Sequence, residues 1–189
     1  ASNFNTACDT IDIVYGDMQY DESKTPKYTF QRYKVTYSCE RSKLPDKSAP
    51  PLPGNKFPPI NAFAVYKTKV IWDETGSNWK NPRTDGNNAT YEKQLVADYI
   101  EDLVFLPIDD EGKLINPPPT VNNATKDKLY KIKTVDIALS IRSTKKFYRS
   151  DKDRTKFTLN NPLRKKTRND KYFRETIVVT AHARNMGTL

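Results

Sequence analysis

Two stretches in the last third of the chain constrain its fold most. In the first, from Ile132 to Ser143, Ile132, Thr134, Asp136, Ala138 and Ser140 alternate with Lys133, Val135, Ile137, Leu139 and Ile141. A period of two with one apolar side is the pattern of a half-buried β-strand. The second, from Tyr172 to Asn185, is rich in Thr, Val and Ile and ends at Asn185-Met186-Gly187, a natural stop. Both strands are expected in the core sheet, with Val135, Ile137, Leu139, Ile177 and Val179 buried.

A basic segment lies between them. From Arg142 to Arg174 thirteen Lys and Arg face only Asp151, Asp153 and Asp170, an excess of ten in a chain of net charge +9. Unpaired charge cannot be buried cheaply, so an exposed loop is expected here. Basic excess speeds encounter with nucleic acid, anionic lipid or acidic protein surfaces without choosing among them. The segment also carries Phe147, Tyr148, Phe157, Tyr172 and Phe173, and aromatics among cations can grip nucleic acid. Lys145, Lys146, Arg149, Arg164, Lys165, Lys166 and Arg168 are the candidate interaction surface.

The rest of the chain is also strand-like. Thr10–Asp17 reads as a strand closing at a Gly16-Asp17 turn, followed by a strongly alternating strand over Lys27–Ser38. An antiparallel pair of these would bring Cys8 close to Cys39. These two cysteines, with no CxxC and a single His, suggest a disulfide and an oxidising compartment rather than zinc. Leu44–Pro59 carries six prolines and reads as an extended loop, and Ala62–Trp72 as another strand. Asp85-Gly86 marks a turn. Tyr91, Leu95, Tyr99 and Leu103 recur at helical spacing, predicting a short helix after Thr90; Leu103–Leu106 then reads as a buried strand stopped by Pro107. The expected class is α+β, β-dominated and antiparallel, with long Pro-rich and basic loops in one domain over residues 1–189.

No pattern points to catalysis. Asp109-Asp110-Glu111-Gly112 could offer oxygens to calcium, but EF-hand spacing is absent and a solvated turn is expected. The one histidine, His182, shows no nucleophile or orienting partner in the sequence. With six glycines there is no phosphate-cradling loop. Asn88-Ala89-Thr90 and Asn123-Ala124-Thr125 match the glycosylation sequon, which is short and recurs by chance. Neither a secretory signal nor an apolar run long enough to span a bilayer is present, so a processed chain, or one whose anchor lies outside it, is expected. No enzyme activity, metal or cofactor is expected.

The serial order of segments resembles the globular part of minor type IV pilins of the PilW type and of J-type pseudopilins of type II secretion. It is carried by Asp9-Thr10-Ile11-Asp12-Ile13-Val14-Tyr15-Gly16, by Val35-Thr36-Tyr37-Ser38, and by Val96–Phe105 followed by Asp109-Asp110. Ile132–Ser143 and Phe173–Asn185 complete it. Together these span most of the chain. The resemblance implies a non-enzymatic structural subunit that primes or caps a filament. Its partners would be other minor pilins or pseudopilins and the major pilin. Its place would be the periplasm and the cell-surface filament, with inner-membrane anchoring before assembly. Family members begin with a long hydrophobic helix, and this chain does not contain one. The alternatives are a DNA-uptake pilin or a surface adhesin that uses the basic segment 142–174.

Overall fold

The computed structural model describes residues 8–84, 89–116, 118–119, 124, 126–156 and 166–183. The chain divides into two compact units, Thr10–Asp98 and a second made of Ala1–Asp9 with Tyr99–Leu189. Strands dominate both, and the strand pairs described below are antiparallel, while an isolated bridge between Cys8 and Leu103 is parallel.

In the first unit, β1 (Ile11–Tyr20) pairs with β2 (Tyr28–Arg41), and β2 with β3 (Phe63–Asp73). The short β4 (Asn78–Trp79) folds back on β3, setting Trp79 edge-on to Trp72 at 5.1 Å between ring centres. The β1–β2 pairing is as expected, but β1 does not end at Gly16-Asp17: it runs to Tyr20, with Gly16 opposite Arg32. The reason lies across the strands. A Cβ at Gly16 would come within 2.3 Å of the Phe30 ring, so the missing side chain there makes room for an aromatic that covers the exposed glycine. The turn falls later, at Asp21, whose carboxylate accepts from the amide and hydroxyl of Ser23. The core of this unit is Tyr33, Val35, Ala64, Val65, Val70 and Ile71. The proline-bearing segment is drawn back on itself by the pairing of Pro45 with Pro59 and by the bond from the Ile60 amide to Leu44.

One strand, β5 (Tyr91–Ile108), passes from the first unit into the second. It replaces the helix expected after Thr90. The spacing of four that links Tyr91, Leu95, Tyr99 and Leu103 satisfies a period of two as well as one of 3.6, and ladder pairing decides for the strand. The strand is not regular. Lys93 and Tyr99 have φ of 49 and 60, and the register with the next strand shifts between Ile100 and Asp102, as at a β-bulge. Pro107 does not stop β5, since Pro107 pairs opposite Val135 and Ile108 opposite Thr134.

In the second unit, the later half of β5 is followed by α1 (Lys126–Tyr130), β6 (Thr134–Lys146), β7 (Lys152–Lys156), β8 (Lys166–Asp170) and β9 (Tyr172–His182). The strand order is β5, β6, β9, and β7 with β8 form a separate hairpin. Of the stretch expected as a strand from Ile132, the first two residues precede the observed one: α1 ends at Tyr130, Lys131 is in a turn, and β6 starts at Thr134. Asp85-Gly86 lies outside the described residues.

Candidate interaction surfaces

The register of β5, β6 and β9 lines up apolar residues in rows. Leu103, Leu139 and Ile177 form one row, Phe105, Ile137 and Val179 the next, and Pro107, Val135 and Ala181 a third. Opposed residues on antiparallel strands share a face, so the rows make one apolar surface. It is not uniformly covered. Leu103 and Pro107 on β5 are buried, while Val135, Ile137 and Leu139 on β6 are only half-buried. On β9 Ile177 is 43% exposed and Val179 55%. The expectation that these residues form the core is therefore corrected: the surface opens progressively toward β9.

The deeply buried face of β6 is the other one. Ala138 and Ser140 are wholly buried and Arg142 is 7% exposed. Most of the polar groups there find a partner. Ser140 and Thr176, cross-strand partners, bond through their hydroxyls at 3.1 Å. Arg142 and Arg174 stand directly opposite one another. Arg174 donates through both terminal nitrogens to the Asp170 carboxylate, at 2.7 and 2.5 Å, and pairs at 2.9 Å with Glu101, whose side chain is 5% exposed. Arg142 instead lies 4.3 Å over the Tyr172 ring and 5.9 Å from that of Tyr99. The Nε atoms of both arginines are buried without a hydrogen-bond partner. The Arg174 hydrogen bonds hold the Asp170 carboxyl below the usual range against the opposing effect of its partial burial. Burial disfavours the Arg174 cation, but its bonds to Asp170 and Glu101 outweigh that and raise its pKa.

The basic segment is thus not one exposed loop. Its ends, Arg142 and Tyr172, are buried, and its middle carries the β7–β8 hairpin. Lys145, Lys146 and Arg149 are exposed, and Arg168 on β8 is half-buried. Lys166 opens β8 opposite Lys156, and Arg168 sits opposite Arg154. Arg164 and Lys165 lie outside the described residues. Exposed Phe147 packs edge-on against Tyr148 and tilted against Phe173.

Comparison with known families, curated proteins and solved structures finds no match. Among the described residues, no cluster of His, Cys, Asp and Glu could hold a metal ion.

In the first unit the sequence reading missed an aromatic and cationic platform. Met18, Tyr20, Tyr28 and Phe30 are all 56–60% exposed at the β1–β2 end. Nearby, Arg32 lies 5.8 Å over Trp72 and Lys34 5.2 Å over Trp79. On the opposite face Lys69 sits 4.1 Å over the buried Tyr33 ring. The β2 alternation carried the signal, since Tyr28, Phe30, Arg32 and Lys34 share one side of it. The Glu101–Arg174–Asp170 cluster was also missed. Its signal was the spacing of Asp170, Tyr172 and Arg174, which a period of two puts on one side. Cys8 and Cys39 are both disulfide-bonded, and the described residues hold no free cysteine.

Proposed function

We propose that this chain is a non-enzymatic structural subunit of an extracytoplasmic filament, of the minor-pilin or pseudopilin kind, that primes or caps assembly. One observation carries the reading: the apolar surface of β5, β6 and β9 is left open at β9, where Ile177 and Val179 are half exposed. A contiguous apolar surface of this kind marks a protein or membrane contact site. In the proposed role, an apolar helix of the type that begins the pilin family packs across Ile137, Leu139, Ile177 and Val179. The disulfide-bonded cysteines support an oxidising compartment. Among the described residues no helix is long and apolar enough to cross a membrane. Other minor pilins and the major pilin would be the neighbours.

The experiment places a pilin-type apolar helix ahead of Ala1 and compares hydrogen exchange with and without it, in detergent. The reading expects slowed exchange over 135–139 and 177–181, together with co-purification with sibling pilins. Unchanged exchange there, or tight sibling binding without the helix, contradicts it.

A second reading rests on the cations and ring left exposed at and just after the end of β6, Lys145, Lys146, Phe147 and Arg149, since cations beside an exposed aromatic suit a nucleic-acid backbone and its bases. This supports nucleic-acid capture by segment 142–174. Salt-dependent gel shifts with the Lys145→Glu, Lys146→Glu variant separate the two, because only the second reading expects weakened DNA binding.

A further inference from the structure

We infer that β9 is a self-pairing edge, through which two copies of this chain join antiparallel about Val178. The inference does not depend on the filament reading. Among the described residues β9 pairs with β6 alone, so it is the last strand of its sheet. Edge strands are usually blunted by charge, proline or a covering element, because their unpaired amides and carbonyls template another strand. Beyond Arg174 and Glu175 at its start, this edge has neither of the first two. Thr176-Ile177-Val178-Val179-Thr180-Ala181 is uncharged, lacks proline and is built of strong β-formers. It is also open on both sides, with Ile177 43%, Val178 47% and Val179 55% exposed.

The ladder fixes which groups face outward. The Ala183 amide donates to the Lys133 carbonyl, and these two residues extend the β6–β9 register. In an antiparallel ladder hydrogen-bonded pairs alternate with non-bonded ones. The register is unbroken from Thr134 to Arg142. It follows that Ala181, Val179 and Ile177 bond to β6, while Thr180, Val178 and Thr176 turn their N–H and C=O to the open edge.

The sequence read outward from Val178 is nearly its own mirror: Ile177 on one side and Val179 on the other, then Thr176 and Thr180. A second copy placed antiparallel about Val178 therefore sets Val178 against Val178, Ile177 against Val179, and Thr176 against Thr180. Each outward-facing residue exchanges both backbone bonds with its opposite. The side-chain pairs are β-branched on β-branched and Thr on Thr, both favourable across strands. Next come Glu175 against Ala181, so no like charges meet. The contact is isologous and closes on itself, so it gives a dimer rather than a fibre. The apolar rows then continue across the two-fold axis, Val179 of one copy leading to Ile177 of the other.

The test needs no added helix: sedimentation velocity of the full chain over a concentration series, with Val178→Lys, Val178→Glu and their mixture. The wild type is expected to show a concentration-dependent dimer. Each variant alone opposes like charges on the axis and should weaken dimerisation at least about tenfold, the equivalent of about 1.4 kcal/mol. The equimolar mixture opposes Lys to Glu and should recover dimer. Circular dichroism confirms that the variants fold; should either fail to, the Thr176→Lys, Thr180→Lys and Thr176→Glu, Thr180→Glu double variants, each of which sets like charges at both pairs flanking the axis, replace them with the same expectations. A monomeric wild type at all concentrations, a dimer untouched by either charge, or no recovery on mixing overturns the inference.

Discussion

Arg142 and Arg174 face each other across two strands in a buried setting, and the residues around them show how the sheet tolerates that. Arg174 has two carboxylates, and Arg142 has an aromatic face. Removing one side of a buried pair leaves the other unpaired, which is costlier than losing the attraction alone. Arg174→Met should therefore destabilise by about 3–5 kcal/mol, read by urea denaturation. Asp170 gives a pH signature. Its folded pKa is depressed, so its contribution is present above the unfolded carboxylate value of about 3.9 and is lost as pH falls through the lower folded value. Asp170→Asn should melt below the wild type at neutral pH, and the two melting temperatures should converge at acid pH. A constant gap across the range would show that the ion pair is not the source. Of this cluster the sequence disclosed the charges but not their pairing, because Glu101 and Arg174 are far apart in the chain and meet only through the bulge in β5 and the β6–β9 register.

At the scale of elements, alternation located β6 and β9 but chose the wrong side of β6. A period of two tells that a strand has two faces; hydropathy then assigns the apolar one to the core. Here the small and polar side, Ala138, Ser140 and Arg142, is the deeper one. It can be buried because Ser140 finds Thr176 and Arg142 finds Tyr172, and those partners are visible only after the strands pair. The β1–β2 hairpin was legible for the opposite reason: its partners are neighbours in sequence. The helix expected after Thr90 failed because a spacing of four fits both periods. The corrected face makes its own prediction. Ala138→Leu should overpack and cost about 1–3 kcal/mol. Val179→Thr, on the open side, should change stability by no more than about 0.5 kcal/mol in either direction. Equilibrium denaturation of both variants checks the pair.

At the scale of the molecule, a disulfide-bonded strand protein carries an apolar surface left partly exposed at β9. The bond between the only two cysteines closes a loop of 31 residues beyond Cys8, counted from 39 − 8. Constraining the unfolded chain over that length should stabilise by roughly 3–4 kcal/mol. Reduction, or Cys8→Ala with Cys39→Ala, should lower the denaturation midpoint accordingly, and an unchanged midpoint would mean the bond contributes nothing. The central claim is that the apolar rows ending at Ile177 and Val179 form an exposed contact surface rather than a core. The most direct measurement is thermal melting of the Ile177→Glu, Val179→Glu double variant. The account predicts a folded protein whose melting temperature falls by no more than about 4 °C, the shift expected for about 1 kcal/mol in a chain of this size. Loss of the cooperative transition would put those side chains in the core and contradict it.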